Sequence, residues 1–371
     1  MQRIYLDYNA STPIAPEVVE AMQPFLTDFY GNPSTTHWAG KPARQAFETA
    51  RQQVANLLGC GPEEVIFTSG GSESNNHALQ GVFFALKEKG HHIITTQIDH
   101  PAVINPCKFL ERLGARVTYV GVDHYGRVSP SDIEQAITPE TIMISVMYAN
   151  NEVGTIQPIA DIAQIAKKHK VLFHTDAAQA VGKIPTWVDE LGVDLLSIAG
   201  HKLYAPKGIG ALYIRKGTPV ESFVHGASHE DGRRAGTENI LLGVALGKAC
   251  ELAADNLHRT KTKELRDYFW AELRRVFAED IVLHGHPEAR LPNTLSVSFV
   301  GKIGQDILER IPELAASTGS ACHSGLVQLS PVLKAMNIDE EVGKGTIRFS
   351  LGRPTTKDEI DEAVRLLRER V

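Results

Sequence analysis

The sequence has few cysteines, no long apolar run and no marked excess of charge of one sign. Its four cysteines, at positions 60, 107, 250 and 322, are widely separated and form no C-x-x-C pair. This scatter argues against a disulfide framework and against a structural zinc site. No apolar run reaches the roughly 18 residues of a membrane span, and the start, MQRIYLDYNASTP, has no signal-peptide pattern. We therefore expect a cytoplasmic protein.

Charge and composition exclude further classes. The chain has 38 Lys and Arg against 44 Asp and Glu, a net charge of −6, so no global field draws it to nucleic acid or to an anionic membrane. With 43% hydrophobic and 22% charged residues, it has the composition of a folded protein. Its 371 residues predict two structural units, or one large unit with an appendage.

Short apolar runs between residues 65 and 214 alternate with helical patterns. The runs are VIFTS, HIITTQ, RVTYVGV, IMISVMYA, VLFHTDAAQ, LLSIAG and GALYIR. Several are apolar without alternation, as in strands that helices cover on both faces. They predict an α/β fold with a mostly parallel, seven-stranded sheet. Upstream, residues 41–59 have apolar positions at helical spacing and predict a helix that packs on this sheet and ends at Gly59.

The pattern changes after Gly236. Two helical runs are followed by the strand-like TLSVSFV, and the last segment offers Thr356 as an N-cap with Glu359 three residues later. We expect an N-terminal arm over residues 1–15 that packs near a smaller domain. We expect a large domain over residues 16–256 and a small α+β domain over residues 257–371.

The segment VIFTSGGSESNN has the pattern of a strand, a glycine turn and the start of a helix. Gly70 and Gly71 let the backbone approach a ligand, which Ser72 and the first helical N–H groups would face. Such a turn suits a phosphate. The run matches neither the nucleotide P-loop nor the dinucleotide motif, so neither ligand is indicated. By itself, a tight turn without a ligand is an equally good explanation.

Two further predicted strands end in polar clusters, one with Asp176 and Gln179 and the other with His201 and Lys202. Ligands of parallel sheets bind beyond the carboxyl ends of the strands, so these groups can converge on the glycine turn. A partly desolvated lysine can form a Schiff base with an aldehyde, and a carboxylate can keep a pyridine nitrogen protonated. With a phosphate-binding turn, these are the requirements of pyridoxal 5′-phosphate. A His-Lys pair alone is weak evidence, because most lysines are solvated.

The cysteines differ in their surroundings. Cys322 lies among small residues in STGSACHSG, which suits a mobile loop with a reactive thiol. The other three lie in or beside helical patterns and are interpreted as buried or neutral thiols. His225 and His229 lack a third spaced ligand, so we expect no metal site.

Arg348 belongs to the alternating segment IRFSLGR. Its side chain is predicted to point away from the core face of the small domain. If that side meets the large domain, the planar guanidinium could clamp a substrate carboxylate. Solvation at the surface is the alternative.

These segments, in this order, resemble the cysteine desulfurases of the fold-type I pyridoxal-phosphate superfamily, the class that serves nitrogen-fixation and housekeeping iron–sulfur assembly. The resemblance covers nearly the whole chain and rests on the set YLDYNAST, TSGGSESNN, DHPAV, ANNEVG, HTDAAQAVGK, GHKLYAPKGIGALY, RRAGTEN, STGSACHSG and IRFSLGR. It implies a homodimer that converts L-cysteine to L-alanine and passes the sulfur to an acceptor or iron–sulfur scaffold protein.

The resemblance also implies roles for individual residues. Lys202 would hold pyridoxal 5′-phosphate as a Schiff base, Cys322 would receive the sulfur as a persulfide, and His100 would stack on the ring and share proton transfer with Lys202. The remaining implied contacts are Asp176 to the pyridine nitrogen, Gln179 to the phenolic oxygen, Gly71, Ser72 and His201 to the phosphate, Thr237 to the same phosphate from the other subunit, and Asn151 and Arg348 to the substrate carboxylate.

Three positions depart from the family pattern. Ala199 stands where a serine often contacts the phosphate, Gly226-Ala227-Ser228 replaces a glycine-rich run, and His323 follows the reactive cysteine. The segment Ala-Cys-His-Ser is similar to selenocysteine lyases, so that activity is an alternative. Ordinary aminotransferase chemistry is another. A non-catalytic scaffold for sulfur assembly is a third, which the presence of the full set of reactive residues argues against.

Overall fold

The computed structural model describes residues 3–259, 261–323 and 326–371, and for residues 320–323 and 326–327 it describes the backbone alone. The helices are α1 (Pro16–Met22), α2 (Pro24–Thr27), α3 (Gly40–Leu58), α4 (Gly71–Leu86), α5 (Pro101–Glu111), α6 (Pro130–Ala136), α7 (Ile159–His169), α8 (Val188–Leu191), α9 (Ile240–Asn256), α10 (Lys261–Phe277), α11 (Gly304–Glu309), α12 (Pro331–Ala335), α13 (Glu340–Gly343) and α14 (Lys357–Arg370). The strands are β1 (Ile4–Tyr5), β2 (Val65–Thr68), β3 (His92–Thr96), β4 (Arg116–Val120), β5 (Thr141–Ser145), β6 (Leu172–Asp176), β7 (Leu195–Ala199), β8 (Gly210–Ile214), β9 (Ile281–His284), β10 (Thr294–Phe299), β11 (Leu314–Ala315), β12 (Ser317–Thr318), β13 (Ser320–His323), β14 (Leu326–Leu329) and β15 (Thr346–Ser350).

A seven-stranded sheet forms the centre of the larger unit, in the order β2-β8-β7-β6-β5-β3-β4. β8 runs antiparallel to both of its neighbours, and the other paired strands run parallel. The predicted α/β fold with a mostly parallel, seven-stranded sheet is therefore confirmed. Because parallel strands point the same way, their carboxyl ends lie along one edge of the sheet.

The sheet has an apolar core on each face. Successive residues of a strand point to opposite faces, so Ile66 joins one core and Phe67 the other. One core is completed by residues of α4 and α5, such as Leu79 and Leu110, and the other by residues of α3, α7 and α9. This two-sided burial explains why the strands are apolar without alternation.

Helix α3 packs closely against α9. A Cβ on Gly243 would lie 2.4 Å from the ring of Phe47, and one on Gly247 would lie 2.5 Å from Cα of Ala50. An alanine at either glycine would therefore force the helices apart. The predicted helix over 41–59 is confirmed, and it ends as expected because Gly59 has a left-handed φ of 69°.

A smaller unit is built on the antiparallel sheet β12-β15-β10-β9. Its apolar core combines α10 and α14 with Ile4 and Leu6 of the chain's start, and β1 pairs in parallel with β11. The predicted cap of α14 is present, since Thr356 and Glu359 exchange backbone-to-side-chain hydrogen bonds. The boundaries 1–15, 16–256 and 257–371 stay a prediction. Over the described ranges, every helix falls short of the length and apolarity needed to cross a bilayer.

Candidate active site

A cavity of 600 Å³ lies at the carboxyl edge of the seven-stranded sheet, between the two units. Its walls come from the segments after β2, β3, β5, β6 and β7, from residues 9–11 and from β15. The predicted site residues among its lining are Gly71, Ser72, His100, Asn151, Asp176, Gln179, His201, Lys202 and Arg348. Residues far apart in sequence therefore meet in one space.

Lys202 lies in a single 3₁₀ turn, Gly200–Lys202, that directly follows β7. Its Nζ donates to the backbone oxygens of Asn9, at 2.5 Å, and of Ala10, at 2.8 Å. Burial lowers the pKa of Lys202 to about 8, and the positive charge of Arg348 acts in the same direction. A substantial fraction of this amine is therefore neutral near pH 8, the form that attacks an aldehyde.

Asp176 is the last residue of β6 and is held on both carboxylate oxygens. Asn75 donates from Nδ2 to Oδ2 at 2.7 Å, and the backbone N–H of Ala178 donates to Oδ1 at 2.9 Å. Asp176 is 6% exposed. This orients the carboxylate at the cavity wall, where it can pair with a protonated ring nitrogen.

The start of α4 also lines the cavity. Gly70 has a φ of 149°, which favours glycine, and a Cβ on Gly71 would lie 3.2 Å from Cβ of Ala199. The backbone of this turn therefore borders the cavity directly. The first N–H groups of a helix lack intrahelical acceptors and carry partial positive charge, so they and the Ser72 hydroxyl can hold an anion.

Two histidines line the cavity. His100 is the N-cap of α5, and its Nδ1 accepts from the backbone N–H of Ala102 at 3.1 Å. Burial lowers its pKa, Lys202 adds to this effect, and Asp176 opposes it. Burial also lowers the pKa of His201 to about 4, with smaller contributions from Lys202 and Lys207. Both rings are therefore neutral near pH 7.

Arg348 projects from β15 into the cavity, away from the core of the smaller unit, as the alternation predicts. Nη1 donates to the backbone oxygen of Asn151 at 3.0 Å, and Nη2 donates to Asp7 Oδ1 and Ser317 Oγ, each at 2.8 Å. Its buried Nε has no hydrogen-bond partner among the described residues. The guanidinium is therefore held in one orientation at the wall of the cavity.

Among the described residues, the predicted Thr237 lies outside the lining of this cavity, exposed on the segment before α9. The backbone of Cys322 lies in β13, which pairs with β14 so that Cys322 is opposite Val327. The two strands form a local hairpin, and the predicted mobility of this segment stays a prediction. The side chains of Cys322 and His323, and hence their predicted roles, lie outside the described residues.

The other thiols have the features of structural residues. Cys107 and Cys250 are fully buried, and burial raises the pKa of each to about 12. Burial and nearby carboxylates also raise the pKa of Cys60 to about 12. None of these three is a ready nucleophile near neutral pH.

Sequence reasoning missed four residues that hold the site together: Asp7, Asn9, Asn75 and Lys183. Asn9 is 1% exposed, and its backbone oxygen accepts from both Lys202 and Gln179. Lys183 donates to Oε1 of Gln179 at 2.6 Å. Each residue lies in a segment that carried the resemblance, which was the one signal in the sequence that could have singled them out.

The chain is similar to known proteins over nearly its whole length. Residues 4–363 match the family of class-V aminotransferases. The chain is 49% identical to the cysteine desulfurase IscS of Dictyoglomus turgidum, over 99% of this chain and 94% of that protein. It is 46% identical to the cysteine desulfurase IscS of Methanosarcina thermophila, over 99% of this chain and 91% of that protein.

Solved structures have the same fold. A NifS-like protein matches with a TM-score of 0.93 at 37% identity, covering 99% of both chains. SspA in complex with cysteine matches with a TM-score of 0.83 at 37% identity, covering 94% of this chain and 98% of that one. Fold and site thus define a class-V aminotransferase architecture. Within that class, the chain belongs to the cysteine desulfurase family.

Proposed function

We propose that this protein is a pyridoxal 5′-phosphate-dependent cysteine desulfurase that converts L-cysteine to L-alanine and carries the sulfur as a persulfide on Cys322. One observation supports this most strongly. A lysine of lowered pKa, an oriented carboxylate, a helix start and an arginine fork all line one cavity. That combination suits an aldehyde cofactor with a ring nitrogen and a phosphate, together with an amino-acid carboxylate.

The cavity fits the cofactor at each of its polar groups. The start of α4, with Ser72 and the neutral His201, would bind the phosphate. Asp176 would pair with the pyridine nitrogen. Nζ of Lys202 and Nε2 of Gln179 donate to the same oxygen, that of Asn9, so they are close neighbours. The aldehyde and the phenolic oxygen are likewise neighbours on the cofactor ring, which matches this pair.

The cavity also contains groups that can bind the carboxylate of an amino-acid substrate. Arg348 lines the cavity, and its planar guanidinium suits a carboxylate. Asn151 lines the same wall. We therefore assign the α-carboxylate of the substrate to Arg348 and Asn151.

Proton and sulfur transfer then fall to three residues. The bound cofactor supplies an electron-accepting ring. Lys202 can take up a proton at Nζ when its amine is neutral, and His100 is the second candidate to carry a proton. The thiolate of Cys322 attacks the substrate sulfur, so that an S–S bond forms as the C–S bond breaks. The products are a persulfide on Cys322 and, after protonation of the carbon, alanine.

A homodimer is part of this proposal. Tyr30 and Trp38 are 74% and 79% exposed, and large exposed aromatic groups are typical of surfaces that a partner covers. Thr237 is exposed beside the start of α9, where it could reach the phosphate site of a second copy. Mixing K202A with T237A chains tests this, because a mixed dimer with one fully intact site should be more active than either variant alone.

The experiment that tests the activity is incubation of the cofactor-loaded protein with L-cysteine and a reductant. Alanine and sulfide should form in equal amounts, and the visible absorption of the cofactor should change on mixing. K202A should form no alanine, whereas D189N, at a surface residue whose side chain is 77% exposed, should behave as wild type. A keto acid in place of alanine would contradict the proposal and indicate aminotransferase chemistry. Parallel assays with selenocysteine separate this activity from that of a selenocysteine lyase.

A further inference from the structure

Lys183 contacts the amide of Gln179, four residues earlier in the turn that follows β6. Its Nζ donates to Oε1 of Gln179 at 2.6 Å and to Oδ1 of Asn9 at 3.3 Å. Nε2 of Gln179 in turn donates to the backbone oxygen of Asn9 at 2.9 Å. The oxygen of this amide is therefore held on the side of Lys183, and its nitrogen on the side of the Asn9 backbone.

These contacts fix which way the amide of Gln179 points. Lys183 Nζ and the Asn9 backbone oxygen sit on opposite ends of the amide, one as donor and the other as acceptor. Rotating the amide by half a turn would place its NH₂ group against Lys183 and its oxygen against the oxygen of Asn9. Both hydrogen bonds would be lost. Two donors would then face each other at Lys183, and two acceptors at the Asn9 oxygen.

We propose that Lys183 is a positioning residue that holds Gln179 so that its remaining N–H group, and not its oxygen, faces the cavity. This inference rests on the proposed function, in which Gln179 donates to the phenolic oxygen of pyridoxal 5′-phosphate. A donor at that oxygen stabilises its ionised form. It therefore lowers the pKa at which the bound chromophore loses its proton.

Lys183 lies beside positive charges. The charged groups that act on it are Lys202 and Arg348, and burial together with these two charges lowers its pKa well below the usual value. Removing Lys183 therefore removes a hydrogen-bond donor and whatever positive charge the amine retains. A test must separate the two effects.

The test uses full-length protein loaded with pyridoxal 5′-phosphate, whose visible absorption is titrated with pH. K183M removes the donor, K183R keeps a donor and a charge, and K216M is the matched control at an exposed lysine. We expect K183M to raise the apparent pKa of the chromophore by about one unit, roughly tenfold in its ionisation constant. In K183R the pKa of the chromophore should lie close to the wild-type value, and K216M should titrate as wild type.

The combination with Q179A shows whether Lys183 acts through Gln179. If it does, K183M should cause no further shift in a Q179A background, whereas a direct effect of charge would persist there. Thermal unfolding without cofactor checks the fold of each variant, and K183A serves as a second variant.

Each outcome of these titrations supports or contradicts the positioning role of Lys183. A K183M titration identical to wild type, a shift that persists in Q179A, or failure of both K183M and K183A to fold would overturn the positioning role. These results leave the proposed function intact. If instead wild type develops no visible band with pyridoxal 5′-phosphate, the proposed function itself fails.

Discussion

Asp7 holds Arg348 in place: its Oδ1 accepts a hydrogen bond from Nη2 at 2.8 Å, across 341 positions of sequence. The side chains of both residues are largely buried, at 18% and 10% exposure. A charge-assisted bond of this kind fixes the plane of the guanidinium before any ligand arrives. Because less motion has to be lost on binding, the site is preorganised for a carboxylate.

Replacing Asp7 by asparagine should weaken substrate binding. D7N keeps the shape of the side chain but removes the charge that orients Arg348, and hydrogen bonds to charged groups contribute about 1.5–3 kcal/mol. We expect KM for cysteine to rise by roughly 10-fold or more, with a smaller change in kcat. Steady-state assays of alanine formation measure both constants.

A second variant tests the same contact. R348K keeps the positive charge but loses the planar guanidinium. It should also raise KM. An unchanged KM in both variants would show that the substrate carboxylate binds elsewhere in the cavity.

The reactivity of Lys202 should depend on pH in a way that its neighbours control. The neutral amine is the form that reacts with an aldehyde, so the rate at which cofactor-free protein takes up pyridoxal 5′-phosphate should rise with a midpoint near the pKa of about 8. R348Q removes a like charge and should move the midpoint to higher pH. D7N removes an opposing charge and should move it to lower pH. Stopped-flow absorbance measures the rates, and shifts of the same sign in both variants would contradict this electrostatic account.

The segment that carries Thr237 should depend on a buried ion pair for its stability. Glu230 accepts from Nη1 and Nη2 of Arg51, at 2.6 and 3.1 Å, and it also accepts from the backbone of Phe67. E230Q leaves the buried guanidinium of Arg51 with the exposed Glu48, at 3.3 Å, as its remaining counter-charge, and breaking a buried ion pair costs about 3–5 kcal/mol. Thermal unfolding should show a lower midpoint for E230Q and little change for the surface variant E134Q. Equal midpoints for E230Q and wild type would contradict a stabilising role for this ion pair.

The last prediction concerns Cys322. C322S should bind the cofactor with its normal visible absorption but release no sulfide, because the persulfide has no thiolate on which to form. C60S is the matched control, since Cys60 is a thiol of raised pKa, and it should retain activity. Alkylation near pH 8 followed by mass spectrometry should label Cys322 before the other three cysteines. Sulfide release by C322S at the wild-type rate would refute its assignment.

Local patterns explain which parts of the molecule were predictable. Strands and helices leave periodic signals within a few residues. Asp176 ends β6, and Lys202 lies in the turn directly after the neighbouring β7. Asn9 left no such signal, because its partners Gln179 and Thr294 lie 170 and 285 positions away. Lys183 stands four residues after Gln179, but only the folded turn shows that their side chains meet. Contacts of this kind depend on topology, which a single sequence does not display.

The placement of Asn9 has a consequence for folding. The residue whose backbone oxygen accepts from Lys202 also donates from its backbone N–H to Ser350, 341 positions further along the chain. Loop closure over such a distance is slow and comes late in folding. A refolding chain should therefore recover its ability to capture vitamin B6 only after most of its secondary structure has formed.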